Sequence, residues 1–167
     1  PPPANDDCAG AISLTPAASC TNITGTLNSA TANGTVPLGC FAAGTYYDVW
    51  YKFVAVSQFP TITVGAVGTN LNTAAVRTQV FSGVCGSLTQ VVCSSTLATS
   101  FTFNPLIVGN TYYVRVTTNN LSAVQASGTY TFNICISYPA PVVSSRMNEV
   151  FQQTTLVSGP TTNPAAN

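Results

Sequence analysis

The sequence predicts an all-β domain: an antiparallel two-sheet β-sandwich, jelly-roll-like, stapled by disulfides and followed by an extended C-terminal tail. Three observations carry that expectation. Apolar residues recur with period two in short runs separated by turn residues, and no segment before the tail keeps a helical period long enough to compete. Six cysteines stand in a chain without histidine. Only 5% of the 167 residues are Asp, Glu, Lys or Arg, against about 25% in an ordinary soluble domain.

The elements follow in order. Short apolar pieces near AISL and NITGTL open the chain. DVWYKFVAV is the strongest strand, and Lys52 marks its solvent side. Val49, Tyr51, Phe53 and Ala55 then face the core, and Trp50, Lys52, Val54 and Val56 face outward. TITV, AAVRTQVF, SFTF, TYYVRVTT and TYTFNICI follow, separated by VGTN, SGVCG, NPLIVGN and NNLSAVQASG, all with turn residues. In TYYVRVTT the alternation buries Tyr112, Val114 and Val116 and leaves Tyr113, Arg115 and Thr117 outside. In TYTFNICI it buries Tyr130, Phe132, Ile134 and Ile136. The count comes to about eight or nine strands, which suits two packed sheets. Past Ser137 the pattern breaks, so residues 1–137 read as the sandwich and 138–167 as a Pro/Thr-rich linker or docking tail. Within it, Val150, Phe151, Leu156 and Val157 are candidates for an interface, adding a strand to a sheet edge of this or another molecule.

The cysteines choose among ligands, nucleophiles and staples. A structural zinc site wants ligands two to four residues apart, whereas the closest pair, Cys85 and Cys93, is separated by seven residues. A cysteine nucleophile needs a base to hold it as thiolate, and the only lysine is Lys52. Three disulfides in an oxidising compartment are the expectation that remains. The pairing expected is Cys85 with Cys93 through one helical turn over Ser87 to Gln90, Cys8 with Cys135, and Cys20 with Cys40, out of fifteen connectivities that six cysteines allow.

With formal net charge zero, the surface has no field to steer nucleic acid or anionic lipid. No apolar run reaches the eighteen residues of a membrane-spanning helix. The opening PPPANDDCAG has neither an initiator Met nor a basic and apolar leader, as expected of a processed product or an excised segment.

NDDCAGAISL, YYDVWYKF, VFSGVCGSLTQVVCS, GNTYYVRV and GTYTFNICIS, taken as an ordered set over Asn5 to Ser137, resemble the pre-peptidase C-terminal-like domains of secreted and surface-anchored bacterial proteins. The resemblance implies a β-sandwich that serves as a non-catalytic accessory, adhesive or spacer domain of a larger exported chain. CSSTLATS departs from it, because relatives commonly carry acidic residues after the second cysteine of the pair.

Asp6, Asp7 and Asp48 are the weak calcium candidates. Calcium needs six to eight oxygens, so capping and turn formation by Asn5, Asp6 and Asp7, with Asp48 bonding nearby backbone, is the favoured reading. Trp50, Tyr46, Tyr47 and Tyr113 are candidates for an aromatic sugar platform, weighed against Trp50 lying in the core or under a terminal segment and the tyrosines being ordinary strand surface. Arg77 and Arg115 read as solvated or interface residues on outward faces. No metal or other cofactor is implied, and no acid, base and nucleophile constellation can be assembled. The functional expectation is an extracellular or cell-surface structural and adhesive module that self-associates into a fibre or packed assembly through its termini. Its partners would be copies of itself or neighbouring domains of an exported protein. The alternative is a carbohydrate-binding accessory to a secreted enzyme, with polysaccharide as partner.

Overall fold

The computed structural model describes residues 1–34, 36–65, 67–94, 104–119 and 129–139. Eight strands are found among them: β1 (Ile12–Ser13), β2 (Ile23–Thr26), β3 (Tyr47–Val54), β4 (Thr61–Gly65), β5 (Val76–Val84), β6 (Ser87–Ser94), β7 (Thr111–Thr118) and β8 (Thr131–Ser137). They form a five-stranded sheet in the order β1-β3-β7-β5-β6 and a three-stranded sheet in the order β2-β8-β4. Every strand pairing is antiparallel except the short β1–β3 contact, which is parallel. The expected strand over residues 100–103 and the tail with Val150, Phe151, Leu156 and Val157 lie outside the described residues. No helix among the described residues is long and apolar enough to cross a membrane.

The core between the sheets comes from the period-two residues. Val49, Tyr51, Phe53 and Ala55 meet Tyr112, Val114 and Val116 from the same sheet and Ile62, Val64, Phe132, Ile134 and Ile136 from the other. Aromatic pairs add geometry: Phe53 stacks on Tyr112 at 5.7 Å between centroids, and Tyr51 meets Phe132 edge-on at 6.2 Å. Such pairs contribute about 0.5–1.5 kcal/mol beyond their buried area.

The outer face of the five-stranded sheet departs from the alternation rule. Trp50 is 0% exposed, Arg115 1% and Thr117 0%, although alternation puts all three on the solvent side. The reason is a second layer. The N-terminal strap runs along the edge of β3 and crosses the sheet, so Trp50, Phe81, Cys8 and Ala11 form a separate buried cluster. Two hydrogen bonds fix the crossing: Trp50 N donates to Asn5 O at 2.8 Å, and Asn5 Nδ2 donates to Trp50 O at 2.9 Å. Asp6 ties the strap to the next loop by accepting from Thr31 N at 2.7 Å and from its hydroxyl. Gly10 is required within the strap, since a Cβ there would run into the carbonyl oxygen of Ala4.

All six cysteines are paired, but not as expected. The disulfides are Cys8–Cys85, Cys20–Cys135 and Cys40–Cys93. Cys85 cannot reach Cys93 because Ser87–Gln90 is not a helical turn; it begins β6, which stays extended to Ser94. A run of that length separates its ends by roughly 26 Å, far beyond a disulfide span. Cys85 and Gly86 form the two-residue turn between Val84 and Ser87, with Gly86 at a φ of 92° that favours glycine. From that tip Cys85 anchors the strap. Cys93 lies opposite Gln79 and takes Cys40 from the loop covering the sheet. Cys135 in β8 secures Cys20 in place of Cys8.

Candidate functional site

The outer face of the five-stranded sheet has two halves. In the sealed half, register places Trp50 beside Arg115 and Arg115 beside Gln79. Asp48 and Arg115 form a buried ion pair: Arg115 Nε donates to Asp48 Oδ2 at 2.6 Å, and the Nη2 group also contacts that oxygen. Trp50 Nε1 donates to Asp48 Oδ1 at 3.1 Å. Arg115 Nη1 donates to Gln79 Oε1 at 3.0 Å, and Nη2 reaches the Asn33 carbonyl at 3.4 Å. The Gln79 amide donates onward to Pro37 O at 2.9 Å and Gln90 Oε1 at 2.8 Å. Each charge is thereby surrounded by partners, which is what burial of an ion pair demands. Burial pushes the Asp48 carboxyl up to about 6, with Arg115 and the Trp50 indole pulling it down, so it is ionised at neutral pH. A carboxylate saturated in this way is a fastener and has no free oxygen for a cation.

The sequence candidates therefore part company. Of the four platform aromatics, Trp50 and Tyr46 are buried. Tyr46 donates its hydroxyl to Ala42 O at 3.0 Å and lies under the Arg77 guanidinium, 5.5 Å from its centroid. Tyr47 packs half-buried against the main core. Arg77 is half-buried, donating to Ala75 O and Asn119 Oδ1. Arg115, expected as a solvated or interface residue on an outward face, is the most enclosed cation among the described residues, because the loop before β3 closes over it and sets the Asn33 carbonyl on its guanidinium. Asp6 is occupied by Thr31, Asp48 holds Arg115 rather than nearby backbone, and Asp7 is exposed with no side-chain cap to the 3-10 turn Cys8–Gly10. Among the described residues no three His, Cys, Asp or Glu side chains cluster as metal ligands.

Of the aromatic candidates, Tyr46 edges a smaller cavity beside Arg115 and Tyr113 lines the largest one described. Beyond the strap the sheet face is uncovered and forms a groove of about 570 Å³, the largest of four described cavities. Its floor is the pair Lys52 and Tyr113, directly opposite each other across β3 and β7, followed by Val54 and Thr111 in the next register position. One wall is Ser13–Pro16, held by β1 pairing Ser13 with Lys52 and by Leu14 N donating to Lys52 O at 2.8 Å. Gly83 and Val84 on the β5–β6 hairpin form the other side. The lining alternates apolar patches with the hydroxyls of Ser13, Thr15 and Thr111 around one half-buried tyrosine ring. It suits a ligand that has both apolar faces and hydroxyls. Lys52, Ser13, Thr15 and Thr111 were not singled out from sequence as site residues. Alternation did put Lys52 and Tyr113 on outward faces, but their adjacency depends on the pairing of β3 with β7.

Fold and groove together define a disulfide-stapled β-sandwich with one sheet face partly open. Residues 4–134 match the family described as galactose binding domain-like and associated with type IX secretion (T9SS), and the chain belongs to that family. Comparisons with curated proteins and with solved structures found no match. The match agrees with the β-sandwich character implied by the resemblance to pre-peptidase C-terminal-like domains, and it names a different family.

Proposed function

We propose that this domain is a non-catalytic, carbohydrate-binding module of an exported protein, and that the groove over Lys52 and Tyr113 is its sugar site. The observation that carries the reading is the groove itself, an uncovered cavity of about 570 Å³ with an aromatic ring on its floor and hydroxyls on its wall. Sugar rings offer apolar C–H faces to an aromatic and hydroxyls to polar neighbours, the two chemistries this lining supplies. The family's description supports the same ligand class, and its association with type IX secretion, together with three disulfides, supports an extracellular or cell-surface location. The accessory role in a larger exported chain, drawn from the pre-peptidase-like resemblance, fits a domain of this kind.

Self-association into fibres does not lead, because its candidate segment of Val150, Phe151, Leu156 and Val157 lies outside the described residues. Retention on immobilised galactose-containing polysaccharides, measured for the wild type and for Tyr113→Ala, tests the proposal. Wild-type retention that Tyr113→Ala abolishes is expected. Equal retention of the two proteins, or none on any galactose-containing polymer, would overturn the site.

A further inference from the structure

The groove holds a charge that no described residue balances. The whole chain has four Lys and Arg residues. Among those described, Arg115 is neutralised by Asp48, and Arg77 is bound to Ala75 O and Asn119 Oδ1 over the Phe41 and Tyr46 rings. Lys52 is different: no hydrogen bond or ion pair to its ammonium group is found among the described residues, and the groove lining contains no carboxylate. Asp48 is four positions away along β3 on the same face, roughly 13 Å by strand rise, and its charge is already matched by Arg115.

The placement of Lys52 is not that of a surface ornament. It stands half-buried between Tyr51 and Phe53 in β3, a strand flanked by β1 and β7. Its neighbours on the open face are Ser13 on one side and Tyr113 on the other. A neutral polar side chain would give the groove hydrogen-bonding capacity without partial desolvation of a charge. The other three described cavities contain no such group: one is lined by Arg115, already paired, and two have no charged residue.

Resting on the carbohydrate reading, we infer that the groove selects acidic glycans, with Tyr113 stacking on a sugar ring and the Lys52 ammonium donating to a carboxylate or sulfate on the same or the next residue. An ionised acceptor makes a shorter and stronger hydrogen bond to an ammonium than a hydroxyl does. An anion that comes within one Debye length of the groove meets the charge of Lys52, which no carboxylate of the described lining offsets.

The test uses polygalacturonate and the same polymer after reduction of its carboxyl groups to the neutral galactan, titrated by calorimetry at low and high salt against wild type, Lys52→Gln, Lys52→Arg and Tyr113→Ala. The acidic polymer is expected to bind about tenfold more tightly than the neutral one. Added salt narrows that gap, Lys52→Gln removes it and Lys52→Arg retains it, while Trp50 fluorescence stays unchanged as a check on folding. Equal affinity for both polymers, or a preference that survives Lys52→Gln, overturns the selection while leaving the sugar site standing. Absence of binding to either polymer, or binding that Tyr113→Ala leaves intact, overturns both.

Discussion

The two halves of the outer sheet face share strands, register and solvent-side phase, yet one is sealed and the other open. On β3, Asp48 and Trp50 are fully enclosed, whereas two turns of the pleat further on Val54 is 50% exposed. On β7 the same change separates Arg115 from Thr111. The difference is the covering layer, the strap over Trp50 and the loop before β3 over Arg115 and Gln79. Where residues 3–11 cross the sheet, even a strand's outward residues become core, and they are large, aromatic and cross-linked by polar contacts. Where the strap has passed, the outward residues are small, hydroxylated or aliphatic, with one lysine and one tyrosine. Open groove and second core are thus alternative uses of a single face, divided by the covering segments and not by the strands beneath them.

The sharpest way to break that division is to remove one partner of the ion pair. Asp48→Ala leaves the Arg115 charge buried and alone, and is expected to lower unfolding free energy by about 3–5 kcal/mol in urea titrations followed by the fluorescence of Trp50, the single tryptophan. Releasing the strap comes next. Replacing Cys8 and Cys85 by serine opens a bridge across a sequence separation of 77, with an expected loss of about 2–4 kcal/mol and a red shift of Trp50 emission. An unshifted spectrum would mean that the Asn5 and Asp6 contacts hold the strap without sulfur.

Acid sharpens the comparison. The folded-state carboxyl of Asp48 is raised to about 6 by burial, above the unfolded value of about 3.9. The folded protein therefore binds this proton more tightly than the unfolded chain, and the group's contribution to stability rises as pH falls from about 6 towards 4. The stability difference between wild type and Asp48→Asn should widen over that window and be flat above pH 7, read from unfolding midpoints at each pH. The smallest effect belongs to the open half. Val54→Thr or Thr111→Ser, removing nothing from either core, should change stability by no more than about 0.5 kcal/mol.

Inner faces were legible in the sequence because a single rule governs them: Val49, Tyr51, Phe53, Tyr112, Val114, Ile134 and Ile136 alternate and are buried. Outer faces were not, since the burial of Trp50 and of Arg115 depends on two different segments, each more than forty positions away in the chain. That Trp50 could lie under a terminal segment was foreseeable as an option; that Asp48 and Arg115 would meet was not, because it needs the β3–β7 register. The disulfides failed for the same reason. Nearness in sequence favoured Cys85 with Cys93, but an extended hairpin arm carries them apart, and only the order β7-β5-β6 with its covering loops brings Cys8 and Cys40 into reach. Of the groove, Tyr113 was visible as an outward-facing aromatic, while Lys52, Ser13 and Thr111 acquire their place in the lining from neighbours on other strands.

The Cys20–Cys135 bridge spans a sequence separation of 115, which has a mechanical meaning. Tension applied to the flanking chain passes from residue 20 to residue 135 through one cystine, bypassing strands β2 to β7. The chain between those two residues cannot be drawn out while that bridge holds, so under flow the proposed grip on a glycan would be limited by the contacts in the groove and not by unravelling of the scaffold.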